Sequence, residues 1–315
     1  MEQAVPARYG RKLPDGRIEC VLCPRHCRLA EGQRGFCFVR ACEKGRIVLT
    51  TYGRSSGFGI DPVEKKPLFH FLPGTSILSF GTAGCNLGCL FCQNWNISKS
   101  RETDTLAVRA SPAGIARAAK NAGCRSVDPV IFHEYAVDAA KECRKLGIKT
   151  AAVTAGYVCA EPRKEFYEWM DAANVDLKGF SEDFYKKYCR ASLAPVLETL
   201  EYIRRETKTW LEITTLLIPG LNDSAAEIDS LTKRIAETLG PDVPLHFTAF
   251  HPDYRITDVP PTSPAILRKA RETAITNGIR YCYTGNVSDP EGESTFCHAC
   301  GKKLIGRNWY KLTEW

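Results

Sequence analysis

A chain of 315 residues, 44% hydrophobic and 25% charged, has room for one large α/β domain with a small appendage, and its proportions are those of a globular protein. No run approaches the ~18 apolar residues of a membrane span; the first twenty residues carry Glu2, Arg8, Arg11, Lys12, Asp15 and Arg17 where a signal peptide would be apolar, so the expected address is cytoplasmic, with no membrane partner. The net charge of +7 is spread along the chain and forms no stripe, which argues against a nucleic-acid partner.

Residues 1–72 are rich in Gly, Cys, Arg and aromatics and lack helical periodicity, so they read as a small Cys-rich module. Fifteen cysteines are many for a reducing compartment, where closely spaced thiols serve as metal ligands sooner than as disulfides. Cys20, Cys23, Cys27 and Cys37 offer four thiolates, enough for one tetrahedral zinc site or an auxiliary iron–sulfur cluster. Near the other end, Cys297-His298-Ala299-Cys300-Gly301 has the form of a zinc-ribbon knuckle over residues 291–315. Two arrangements follow: the N-terminal four bind one metal, or Cys297 and Cys300 join two of them. Cys124, Cys143, Cys159, Cys189 and Cys282 stand alone in apolar or helical contexts and read as small core residues.

Between residues 73 and 290, β-like and α-like segments alternate. Ile77 to Phe80 is a first strand running into a cysteine loop. Ser111-Pro112 gives an N-cap and a proline at the first helical position, with Ile115, Ala118, Ala119 and Ala122 as the buried face. Phe132, Tyr135, Ala139, Cys143 and Leu146 repeat the helical period up to Gly147. Ile148–Thr154 and Val175–Lys178 are strands, with a helix begun by Pro162 between them. Pro195 opens a helix, Trp210–Ile218 is the longest β-like run, and Ser224 with Glu227 forms a capping box. Leu245–Phe250, a helix from Ser263-Pro264, and Arg280–Thr284 complete the series. About six such β-then-α units demand parallel pairing and right-handed crossovers, which suits a partial parallel (β/α)6 barrel with its chemistry at the strands' C-terminal ends.

The sharpest signal is Cys85-Asn86-Leu87-Gly88-Cys89-Leu90-Phe91-Cys92, directly after the first strand. Three thiolates within eight residues can hold three corners of a 4Fe-4S cluster and leave one iron open. Structural zinc would instead show two matched knuckles. With Ser79 to Gly84 before it and Gln93-Asn94-Trp95 after it, this stretch resembles the radical SAM superfamily. Asp61-Pro62 and Glu64-Lys65-Lys66-Pro67-Leu68 are similar to the pyruvate formate-lyase activating enzyme-like branch and, within it, to the AmmeMemoRadiSam system radical SAM enzymes. The similarity runs from Cys20 to the Cys297/Cys300 pair.

The resemblance implies a 4Fe-4S cluster on Cys85, Cys89 and Cys92 that reductively cleaves S-adenosylmethionine (SAM) to a 5′-deoxyadenosyl radical, which abstracts hydrogen from an unidentified substrate. It implies SAM contacts from Phe91, Asp128, Asp176, Lys178 and His251, a flavodoxin or ferredoxin as electron donor, and Memo-type and AMME-type partner proteins by association. Two alternatives are a glycyl-radical-enzyme activase and a zinc-dependent nucleic-acid or protein-binding module. In relatives a full strand precedes the Asp-Pro that carries a SAM contact; here only Arg125, Ser126 and Val127 separate Cys124 from Asp128-Pro129, so either the strand is shortened by a real deletion or residues are missing, the latter expected to show as a break near Val127–Asp128.

Overall fold

Buried Ile77, Leu78 and Phe80 fix the first strand of the repeating part, β1 (Ser76–Phe80), in a computed structural model that describes residues 5–100, 108–129 and 132–315. The chain forms two compact units, Met1–Asp61 with Ser76–Gly88 and Asn94–Asp171, and Pro62–Thr75 with Cys89–Gln93 and Ala172–Trp315. These boundaries cut across the three segments expected from the sequence.

In the first unit β1 is followed by α1 (Pro112–Asn121), β2 (Ser126–Pro129), α2 (His133–Lys145), β3 (Lys149–Thr154) and α3 (Ala160–Glu168). β2 lies between β1 and β3 and is parallel to both. Ser111 caps α1 by accepting the Gly114 N–H at 3.1 Å, with Pro112 at the first helical position. The face of α1 differs from the one read in the sequence: Ile115, Ala116 and Ala119 are buried, and Ala118 and Ala122 are exposed. Alanines on every side carry no directional signal, so bulky Ile115 sets the face. The expected break near Val127–Asp128 is also corrected. β2 pairs residue by residue with β1, Ser126 opposite Ile77 through Pro129 opposite Phe80. Asp128 and Pro129 themselves complete the strand, and proline is tolerated at its last position, where the ladder ends.

The N-terminal segment adds two three-stranded antiparallel sheets, one from Gly10–Lys12, Ile18–Cys20 and Arg28–Leu29, the other from Val5–Pro6, Arg46–Leu49 and Arg40–Glu43. Arg40 of the latter forms an ion pair with Glu134 of α2, their side chains only 2% and 3% exposed. The Arg8 N–H donates to the other Glu134 oxygen at 2.9 Å.

The second unit runs β4 (Ala172–Asp176), α4 (Ala194–Glu206), β5 (Trp210–Leu217), α5 (Ala225–Thr238), β6 (Leu245–Ala249), α6 (Pro264–Thr276) and β7 (Cys282–Gly285), its four strands parallel and paired in that order. Every residue of β6 is buried, as a parallel strand covered on both faces requires. At the start of β5 the fully buried Glu212 accepts from His246 Nε2 at 2.7 Å and from the N–H groups of Phe69 and His70 at 3.0 and 2.8 Å. An antiparallel set of Thr295–Phe296, Lys303–Asn308 and Lys311–Glu314 carries the C-terminal cysteine pair. Among the described residues, no helix is long and apolar enough to cross a membrane.

Candidate active site

The cysteine loop leaves the end of β1. Gly84 has φ +103°, and a Cβ there would lie 2.2 Å from the Cys37 carbonyl oxygen, so only glycine fits the approach to the first thiol. The Leu87 N–H points at Cys85 Sγ at 3.3 Å. Asn86 donates to the Tyr157 carbonyl at 2.7 Å, and Lys99 Nζ donates to the Leu87 carbonyl at 2.8 Å. These contacts fix the loop backbone within the first unit. Cys85 belongs to that unit; Cys89 and Cys92 belong to the second.

In the second unit the loop is gripped by a short helical turn, Glu182–Phe184, that passes into a π-turn, Tyr185–Cys189. The Leu90 N–H donates to the Tyr188 carbonyl at 2.9 Å, and the Leu90 carbonyl accepts from the Arg255 N–H at 3.0 Å. Phe91 is buried, with its ring 5.7 Å from that of Phe184. Cys189, which ends the π-turn, is fully buried.

Asp176 ends β4, and Lys178 stands two residues on, its Nζ 2.8 Å from Asp176 Oδ2. The Lys178 main chain is held at both polar atoms: its N–H donates to Tyr185 Oη at 3.0 Å, and its carbonyl accepts from Asn222 Nδ2 at 2.8 Å. Burial pulls the Lys178 pKa down, but Asp176 and the nearby Cys89 outweigh it and hold the ammonium above its ordinary value. Asn222 also accepts from the Ile218 N–H at 2.7 Å, so the Ile218–Asp223 turn reaches back to the lysine. Ser224 caps α5 by accepting the Glu227 N–H at 3.2 Å. Glu227 does not close the expected box; its Oε1 accepts from the Phe180 N–H at 2.7 Å, bracing the segment after Lys178.

Of the residues singled out in the sequence, the second unit thus brings Cys89, Phe91, Asp176 and Lys178 onto neighbouring segments. Cys92 is half-buried, and His251, just beyond β6, is exposed, with Nδ1 3.4 Å from the Pro252 carbonyl. Asp128 occupies the third position of β2, and its side chain lies outside the described residues. Tyr185, Asn222 and Glu227 were not anticipated beside Lys178. The Asn222-Asp223 pair in a Pro-Gly turn was the available signal, since a buried amide must find partners.

The outer cysteines form two groups. In the first unit Cys20 and Cys23 lie within electrostatic reach of each other and of Cys27 and Cys37. Backbone N–H groups face three of the sulfurs, Leu22 toward Cys20, Arg25 toward Cys23, and Phe36 toward Cys27 at 3.5 Å. Burial pushes Cys23 up to about 12 and raises Cys20, so both are neutral thiols unless a cation displaces the proton. In the second unit the Cys297 carbonyl accepts from the Gly301 N–H at 2.8 Å in a knuckle turn. There the N–H groups of Cys300 and Ala299 and the Cys300 side chain hold the Cys297 thiol below its ordinary value. Among the described residues, no three His, Cys, Asp or Glu side chains converge as a finished metal cage. The chemistry of the donors still fits: thiols with N–H groups aimed at sulfur suit thiolate ligation, at Cys85 as at the outer set.

A parallel α/β fold with a three-thiol loop after its first strand defines the class, and comparison with known proteins gives the family. The radical SAM superfamily profile matches residues 80–231. An uncharacterized protein of Methanocaldococcus jannaschii is 40% identical over 306 residues, covering 96% of this chain and 91% of that protein. The chain belongs to the radical SAM superfamily, whose members are enzymes. The pyruvate formate-lyase-activating enzyme of Clostridium pasteurianum is 27% identical over 163 residues, 48% of this chain and 66% of that enzyme. A radical SAM methyltransferase from Sphaerobacter thermophilus shares the fold, with a TM-score of 0.52 at 17% identity over 74% of this chain and 71% of that one.

Proposed function

We propose that this protein is a radical SAM enzyme that abstracts hydrogen from its substrate, with Cys85, Cys89 and Cys92 as ligands of a 4Fe-4S cluster. The observation that carries the reading is the C-x3-C-x2-C loop directly after β1, inside the region matched to the superfamily. When bound, the reduced cluster supplies the electron that splits the sulfonium C–S bond of SAM and yields the 5′-deoxyadenosyl radical. The chain's own residues bind and orient. Lys178 presents an ammonium to the SAM carboxylate, and Asp176, already paired with it, is placed to accept from the SAM amino group or ribose hydroxyls. Phe91 offers an apolar wall to the adenine, while Asp128 and His251 complete the SAM contacts. A reduced flavodoxin or ferredoxin serves as donor, and AmmeMemoRadiSam membership, with Memo-type and AMME-type partners, is the finer assignment. Cys20, Cys23, Cys27 and Cys37 hold a second metal, zinc or an auxiliary cluster.

Anaerobic reconstitution with iron and sulfide tests the central claim. The wild-type protein should give a reducible cluster by electron paramagnetic resonance and form 5′-deoxyadenosine from SAM plus reductant, and Cys89→Ala should abolish both. Wild-type protein that takes up no iron sinks the reading. An activase function is the second reading, favoured by the activating enzymes among its relatives. A glycyl radical appearing on a co-incubated protein would select it.

A further inference from the structure

Two consecutive carbonyls in the middle of the cysteine loop end on cations. Lys99 Nζ donates to that of Leu87 at 2.8 Å, and the Arg25 guanidinium donates through Nε to that of Asn86. Asn86 is held by its side chain as well, on the Tyr157 carbonyl. Arg25 comes from the N-terminal segment, 61 residues away in the chain. A turn closed by the His26 N–H on the Cys23 carbonyl at 3.2 Å presents it, and its guanidinium carbon sits 3.5 Å from the centre of the Phe36 ring. A guanidinium stacked on a ring has few orientations left, so its Nε–H is aimed at the loop in advance.

The Asn86 carbonyl and the Leu87 N–H belong to one trans peptide and point to opposite sides of the chain. That N–H lies 3.3 Å from Cys85 Sγ. Arg25 therefore grips one end of a peptide whose other end meets the first thiol of the loop. We propose that Arg25 is a positioning residue for the cluster, fixing this peptide so that the Leu87 N–H donates to the Cys85 sulfur when that sulfur is a metal-bound thiolate. A cation on the carbonyl also polarises the peptide and makes its N–H the stronger donor. Donation offsets charge on the cluster sulfur, which favours the reduced state and raises the reduction potential. The inference rests on the cluster reading above.

The test compares wild type, Arg25→Met, Arg25→Lys and Arg28→Met after anaerobic reconstitution, with iron content measured and the reduced-cluster signal followed in a redox titration. Methionine keeps an apolar stem on Phe36 but loses the donor. That variant should keep its iron and titrate at a more negative potential, with a reduced-to-oxidised ratio about three- to tenfold lower at a fixed applied potential, the size of one hydrogen bond. Lysine, which keeps a charged donor, should return the potential toward wild type. Arg28 controls for net charge: its side chain is 60% exposed, with Nε 3.9 Å from Glu19, and Arg28→Met should leave the potential unchanged. Equal potentials in wild type and Arg25→Met overturn the inference, as do an equal shift in Arg28→Met and a lysine variant no better than methionine. If Arg25→Met loses the cluster, lysine decides: a lysine variant that keeps it near the wild-type potential supports the positioning role, and one that loses it too assigns Arg25 to folding of its segment and overturns the inference. Wild-type protein without a cluster would instead remove the radical SAM reading itself, and this inference with it.

Discussion

Lys178 shows how a residue's role follows from its supports. Its ammonium is paired with Asp176, and both polar atoms of its main chain are bound by side chains from other segments. A cation held this firmly has lost little freedom still to give up on binding a carboxylate. Lys178→Ala should therefore weaken SAM binding to the reconstituted protein by roughly 10- to 100-fold, the range for loss of one charge-assisted hydrogen bond, with iron content unchanged; calorimetric titration with SAM measures it. Equal affinity in the variant would remove Lys178 from the site. Lys178 and the three thiols proposed for the cluster stood out in the sequence because strand-end position and spacing are visible without coordinates. The π-turn Tyr185–Cys189 did not, because a π-turn and an α-turn use nearly the same residue types and no periodicity marks it.

Among elements, the β-then-α series was legible because its helices announce themselves. Ser111-Pro112, Ser224 and Ser263-Pro264 each stand where a helix begins. β2 was misjudged because its four residues end in Asp-Pro, a pair that normally stops a strand. The attachment of α2 to the N-terminal sheet was invisible, since it depends on Arg40 and Glu134, 94 residues apart. Burial pushes the Glu134 carboxyl up, but the Arg40 guanidinium and the Arg8 N–H outweigh it and hold its pKa below the ordinary 4.5. A carboxylate depressed on folding contributes stability that is present above its unfolded pKa and lost as pH falls through the folded one. Glu134→Gln should cost about 3–5 kcal/mol at neutral pH, because Arg40 is left buried and uncompensated. Thermal melts across a pH series should show the gap between variant and wild type narrowing as pH drops below about 4.5. A gap that stays constant into acid would show that the pair carries no such charge-dependent stability.

At the scale of the whole molecule, the proposed second metal can be tested separately from the proposed cluster. In the N-terminal segment Ile18, Leu29 and Ile47 cluster with Cys20 and Cys42, while Val39 and Leu49 join the core of the first unit. If the N-terminal thiols bind the proposed second metal, the cation that replaces their protons would add a cross-link to this segment. The two metal sites can be told apart by removing the ligands of the first. In the triple variant Cys85→Ala/Cys89→Ala/Cys92→Ala, elemental analysis should find the cluster iron gone and the second metal kept. Adding Cys23→Ser should remove that metal too, whereas adding Cys297→Ser should leave it, because in the proposed reading the N-terminal four supply all its ligands. Chelation of the triple variant should lower its melting temperature, and chelation of the Cys23→Ser protein should not. Loss of the second metal on Cys297→Ser would instead join the terminal pair to the N-terminal thiols. A triple variant that carries no metal at all would leave the N-terminal segment folded by its apolar contacts alone.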